Sequence, residues 1–195
     1  EATANAAELW KSSGKILADM ALNVPIGDRA GQAVSTQVKT YFEDVYLRMP
    51  EFDFNISEMS GVAEFSTQNG FSSSGFSGIS FQEPIEGKIV TNIYDNGGEI
   101  EISVNGAIST SSLSEWSDLV LLGRTDGVLN YKAVAHVPYG NFAGQAYIEA
   151  SSNLVGISID LPYPLGKEKS NESRLFEYSQ HFAKDGDRID IFLDE

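Results

Sequence analysis

A chain of 195 residues with 42% apolar and 21% charged side chains has the make-up of a folding domain, too apolar for wholesale disorder and long enough to bury a core. Its formal net charge of −15 argues against nucleic acid or anionic headgroups as a primary partner, and the basic residues Lys167, Lys169 and Arg174 are diluted by Glu168 and Glu172. Cysteine is absent, which excludes disulfides, thiolate zinc sites and cysteine nucleophiles, and no run approaches the ~20 apolar residues of a membrane span.

Taken in chain order, Asn5 to Lys11 has a weak helical spacing, with Asn5 and Glu8 placed as cap and partner. Beyond it the dominant signal is apolar/polar alternation, the period of a strand with one covered and one wet face. Ile16, Ala18, Met20, Leu22 and Val24 form the first such run. Less regular strands fit Val34 to Phe42, Val45 to Met49, Phe52 to Ile56, Val62 to Ser66 and Phe71 to Phe81. Ile85, Ile89 and Ile93 then alternate with Glu86, Lys88 and Asn92, and Ile100, Ile102, Val104 and Ile108 with Glu99, Glu101, Ser103 and Asn105.

Ser112 to Leu122 breaks the pattern: capping-box spacing of Ser112 and Glu115, a stripe of Leu113, Trp116, Leu119 and Val120, and Gly123 as terminator predict a short helix whose Trp116 packs beneath it. Alternation resumes at Leu129, Tyr131, Ala133, Ala135 and Val137, continues at Ala146, Ile148 and Ala150, and ends with Val155, Ile157, Ile159 and Leu161. Lys167 to Ser173 is the most polar interval and is predicted to be an exposed loop. No initiating Met precedes Glu1 and Ile189 to Asp194 still reads as strand, so residues 1–195 are expected to be a single β-rich segment excised from a longer protein.

Short turns such as Asn69-Gly70, Asp95-Asn96-Gly97-Gly98 and Pro138-Tyr139-Gly140-Asn141 join these runs, and short turns imply antiparallel neighbours. The expected fold is therefore all-β, an antiparallel meander with one or two short helices. One apolar face must then pack on a second sheet, close on itself, or hold something apolar.

No nucleophile elbow, phosphate-binding loop or dinucleotide fingerprint is present, and His136 and His181, far apart in sequence, lack metal-ligand spacing and read as ordinary surface or edge residues. Asp95 to Glu99 and Asp185 to Asp187 hold clustered oxygens, but turn formation accounts for both without calcium. The sequons at Asn55 and Asn171 discriminate nothing. The expectation is a protein with no enzymatic activity, no metal and no cofactor.

The segment Ser151-Ser152-Asn153-Leu154-Val155-Gly156-Ile157-Ser158-Ile159-Asp160-Leu161-Pro162-Tyr163-Pro164-Leu165-Gly166-Lys167 resembles a pattern of the YhdP branch of the AsmA-like envelope proteins. Upstream, Trp10, the Gly14 to Ile26 strand, Met59 to Phe65 running into Asn69-Gly70-Phe71, Glu86-Gly87-Lys88, the capped helix near Trp116 and Gly127 to Ala133 follow in the order of that family. The resemblance implies a curved, groove-like sheet, a taco or half-barrel, in the periplasmic body of a protein anchored in the bacterial inner membrane. It implies a role in moving phospholipid between membranes, with acyl chains and neighbouring segments of the same protein as partners. The groove would be lined by Ile16, Met20, Leu22, Ile89, Ile93, Ile100, Ile102, Val104, Leu129, Tyr131, Ile148, Ile157 and Ile159. The alternative is a closed β-sandwich binding protein or carbohydrate, with Tyr94, Tyr139 and Tyr163 available to a sugar.

Overall fold

The computed structural model describes residues 11–26, 33–50, 53–117, 120–142, 144–183 and 186–194. The weak helix at Asn5 to Lys11 falls outside them except for Lys11, which opens the first strand. Six long strands come first: β1 (Lys11–Asn23), β2 (Ser35–Met49), β3 (Phe54–Ser66), β4 (Gly70–Ser80), β5 (Glu83–Tyr94) and β6 (Gly97–Ser109). A helix α1 (Thr110–Trp116), a 3-10 turn (Val120–Arg124) and a short strand β7 (Thr125–Asp126) lead to β8 (Val128–Gly140) and β9 (Tyr147–Ser152). The chain ends with β10 (Ser158–Ile159), β11 (Phe176–His181) and β12 (Arg188–Leu193).

Ten of these strands form one antiparallel sheet in the order β1-β2-β3-β4-β5-β6-β8-β9-β11-β12, while β7 and β10 pair separately. Among the described residues the sheet does not close into a barrel, and β1 and β12 are its outermost strands. Beyond the two-stranded β7–β10 piece, the described residues form no second sheet on which it packs, which removes the sandwich architecture. No helix among them is long and apolar enough to cross a membrane.

Two strands that the sequence splits are continuous here. In β2, Val38, Thr40 and Phe42 share a face with Leu47 and Met49, although their numbering parity differs, because a bulge at Asp44 (φ 49°) inserts a residue. Glu58 (φ 52°) does the same in β3, between Ile56 and Gly61. Each bulge flips the phase of the alternation, which in sequence looks like an interruption. The breaks at Gly14, Asp44 and Glu58 lie side by side on β1 to β3, while that of β4, between Ser73 and Phe76, lies further along the strands, and Gly14 of β1 sits so close to the Asp44 carbonyl that a Cβ there would lie 2.6 Å from it. A bulge bends its strand, so this row of three bends the sheet across β1 to β3.

Glycines on the apolar face leave room for the curl. Phe42 lies opposite Gly61, Phe76 opposite Gly87, Tyr131 opposite Gly106 and Tyr139 opposite Gly98, and each ring occupies the space of the missing side chain. Aromatic rings laid over cross-strand glycines form a flat floor where projecting Cβ atoms would crowd a concave surface. The result is a curved, open sheet with its apolar side chains on one face.

Three local predictions are corrected. The helix starts at Thr110, because Ser109 ends β6 in an extended conformation and its Oγ accepts the Ser112 amide; Ser112 is therefore not the cap, and the Ser117 amide closes the helix on Leu113, well before Gly123. Val155 to Leu161 is not a strand of the main sheet: Leu154 (φ 50°) and Gly156 (φ 78°) turn the chain, and only Ser158 and Ile159 pair, with β7. The place beside β9 is taken by β11, whose Gln180 interrupts the apolar alternation and hides it in the sequence. Lys167 to Ser173 forms no regular element beyond one bridge from Lys167 to Ile159.

A side chain at Gly87 would place its Cβ 2.3 Å from the tip of Phe76. Gly87→Ala should therefore cost about 1 to 3 kcal/mol in urea unfolding by forcing the ring off the floor. Its cost should shrink in a Phe76→Ala background, since the two residues share one space.

Candidate functional site: an open apolar trough

Residues directly opposite in a ladder share a face, so the register settles which side chains the fold assembles. Ile16 lies opposite Phe42, Met20 opposite Val38 and Leu22 opposite Thr36. Ile89 faces Ile102, Ile93 faces Gly98, Ile100 faces Thr91, and Val104 faces both Gly87 and Ala133. Leu129 pairs with Ile108, Tyr131 with Gly106 and Ile148 with Ala135. All of these lie on one continuous face.

Ile157 and Ile159 do not join them. They leave the sheet at the Leu154–Gly156 turn, and Ile157 is buried beside Gly127 at the rim formed by the long connections. Their alternation reflects local packing of that loop. The trough also contains residues the sequence reading passed over, among them Val38, Phe42, Phe65, Phe71 and Phe76. The signal was present as alternation whose phase changes at the bulges.

Burial is graded along the strands. Ile56, Ile85 and Ile108 are buried near the rim that carries α1, where Phe54, Phe81 and Trp116 form a chain of ring contacts at 5.6 and 5.7 Å. Towards the other rim the same face is open: Met20 is 72% exposed, Ile93 50% and Phe65 43%. Hydroxyls on this face turn to the main chain, Ser73 to the Val62 carbonyl at 2.6 Å, Ser80 to that of Asn55 at 3.0 Å and Thr91 to that of Phe71 at 2.5 Å. None of these three has to point into the trough for a partner.

The opposite face carries the charge. Lys39 pairs with Glu64 at 2.9 Å and Lys15 with Glu43 at 3.3 Å, both pairs largely exposed and so of small energetic weight. His136, His181 and Tyr147, distant in sequence, meet here as a stack, with ring centroids 4.1 Å apart for His136–Tyr147 and 5.2 Å for Tyr147–His181. His136 Nδ1 lies 3.0 Å from Glu99 Oε1, and both side chains are mostly covered, so His136 is not the plain surface residue expected. Burial, then the carboxylates of Glu149, Glu99 and Glu101, raise the Tyr147 pKa. No cluster among the described residues is arranged to hold a metal ion.

Trp116 does not sit beneath the helix as expected. It is 44% exposed and leans edge-on against Phe81 at the β4–β5 turn. Trp116→Ala should accordingly cost about 1 to 3 kcal/mol, below the ~3–5 of a fully buried aromatic, as read from a denaturant midpoint.

Burial also raises the Tyr131 pKa above its ordinary value of 10.0. A phenol harder to ionise in the folded than in the unfolded chain contributes stability that is complete below the unfolded pKa and is lost as pH rises through the folded one. Stability should therefore fall above about pH 10, and Tyr131→Phe should fall less steeply over the same range in an alkaline unfolding series.

Comparison with known proteins adds an identity to this geometry. The chain matches the family described as YhdP protein over residues 2–189. No curated protein and no solved structure matches it. The extent of the family match leaves one conclusion: the chain belongs to the YhdP family of AsmA-like bacterial envelope proteins.

Proposed function

We propose that this chain is a non-enzymatic, periplasmic segment whose trough holds phospholipid acyl chains as lipid moves between the two membranes. The observation that carries the reading is a single apolar face, continuous over the ten-stranded sheet, that no second sheet among the described residues covers. An acyl chain lying there would gain about 0.8 kcal/mol per buried CH₂, with no directional headgroup contact required. Lying across the strands, such a chain would touch the apolar residues of several of them at once. No described strand pairs with the outer edge of β12, where a neighbouring segment of a longer protein would carry the trough onward.

Ile102 and Val104 stand on the floor, half-buried, and Glu101 points away from it on the same strand. Ile102→Asp and Val104→Asp should each fold, since a carboxylate on an open surface keeps its water, and should lose most bound lipid when incubated with labelled phospholipid. Glu101→Lys should retain it. Failure of the native chain to retain labelled phospholipid, or equal retention by the aspartate variants, would overturn the reading.

A further inference from the structure

The trough-facing positions of β6, β8, β9, β11 and β12 carry no charged side chain. On β11, however, two of them are polar: Tyr178 lies opposite Ala150, and Gln180 lies between Ile148 and Ile189. Whereas Ser73, Ser80 and Thr91 are satisfied by main-chain carbonyls, these two bond one to the next and end on a carboxylate. Tyr178 Oη donates to Gln180 Oε1 at 2.8 Å, and Gln180 Nε2 donates to Asp187 Oδ2 at 2.8 Å. Asp187 is exposed and directly precedes β12, at the rim opposite α1.

The chemistry fixes the direction of this relay. A carboxylate only accepts, so the amide nitrogen must face Asp187, the amide oxygen must face the phenol, and the phenol must donate. Burial, and then the Asp187 carboxylate, raise the Tyr178 pKa, which keeps that proton in place. One carboxylate oxygen is thereby held, and the other has no donor among the described residues. Nor has Asp187 an ion-pair partner among them: the adjacent Arg188 binds Asp190, on the opposite face, at 2.9 Å.

We propose that Tyr178, Gln180 and Asp187 form a headgroup contact that selects phospholipids carrying a primary ammonium. The proposal rests on the reading of the trough as an acyl-chain surface and names the ligand class it favours. A primary ammonium brings a positive charge and three N–H donors to a relay that ends in an acceptor, with Asp187 Oδ1 as the receiving atom. A quaternary ammonium has the charge but no N–H, and a phosphoglycerol headgroup sets an anion against a carboxylate in a chain of net charge −15. The register places the contact where a headgroup would fall. Ile89, Ile102, Ala135 and Ile148 stand side by side in one row across the strands, and Gln180 is next in that row. From Ile89 to Gln180 is four inter-strand steps of about 4.8 Å, in all about 19 Å, the length of an extended long acyl chain. Retention on the floor needs no headgroup contact; the relay at the rim adds a choice among headgroups.

Labelled phospholipids with identical acyl chains and ethanolamine, choline or glycerol headgroups test it, offered to the chain in pairs at equal concentration, with circular dichroism to confirm the fold of each variant. The native chain should retain the ethanolamine lipid about two- to fivefold more than either competitor, the range of one exposed ion pair. Asp187→Asn and Gln180→Leu should each hold at least as much total lipid and lose the preference, and Asp187→Lys should turn it towards the glycerol lipid. Glu177→Gln removes the same charge from the opposite face of β11 and should keep the preference. A native chain that retains the ethanolamine lipid no better than the other two, or a preference that survives in Asp187→Asn, would overturn this proposal and leave the acyl-chain reading standing. A native chain that retains none of the three would overturn both.

Discussion

One constraint governs the molecule: a ten-stranded antiparallel sheet with a single apolar face and no second sheet, among the described residues, to bury it. A β-domain normally satisfies such a face by packing it against another sheet or by closing into a barrel. Here only the rim near α1 is filled, by Ile56, Ile85 and Ile108 and by the rings of Phe54 and Phe81. Stability must therefore come from within the sheet, from ladder hydrogen bonds, cross-strand pairs and rings laid on glycines, more than from a central core.

The aromatic–glycine pairs resolve a conflict that such a sheet creates. A concave apolar surface crowds the Cβ atoms on its inner side, yet the face needs large side chains to remain apolar. Placing a ring on one strand and a glycine opposite it, as Phe76 with Gly87 and Tyr131 with Gly106, supplies the area without the crowding. Bulges at Asp44 and Glu58 do the complementary work of bending the strands. Composition alone shows these glycines as apparent strand breakers; only the register shows each one beneath a ring.

Much of this was legible in the sequence wherever alternation kept one phase. Gly98 to Ile108 and Leu129 to Val137 are regular, and their inward residues follow directly from the period of two. Legibility failed where a single inserted residue changed the phase, so that β2 and β3 each read as two strands. It failed again at Val155 to Leu161, where alternation arose from a turn packed on Gly127, and at β11, where Gln180 occupies a position facing Ile148 on the apolar side. The His136–Tyr147–His181 stack was invisible for a different reason: it depends on which strands are neighbours, and no local pattern records that.

The two faces of the sheet divide the labour of specificity. Directional interactions concentrate on the charged face, where Lys39 finds Glu64, His136 finds Glu99 and the stacked rings tie β8, β9 and β11 together. A one-residue slip in register would move every one of these groups to the wrong side, so they hold the register that keeps the other face apolar. With register fixed from behind, the trough itself needs no polar group of its own, and the hydroxyls of Ser73, Ser80 and Thr91 are turned back into the main chain. Such a surface discriminates by length and apolarity and not by hydrogen-bond pattern, which suits a ligand whose defining feature is a run of methylenes. The continuity of the apolar face is accordingly a property of the whole register and of no single residue.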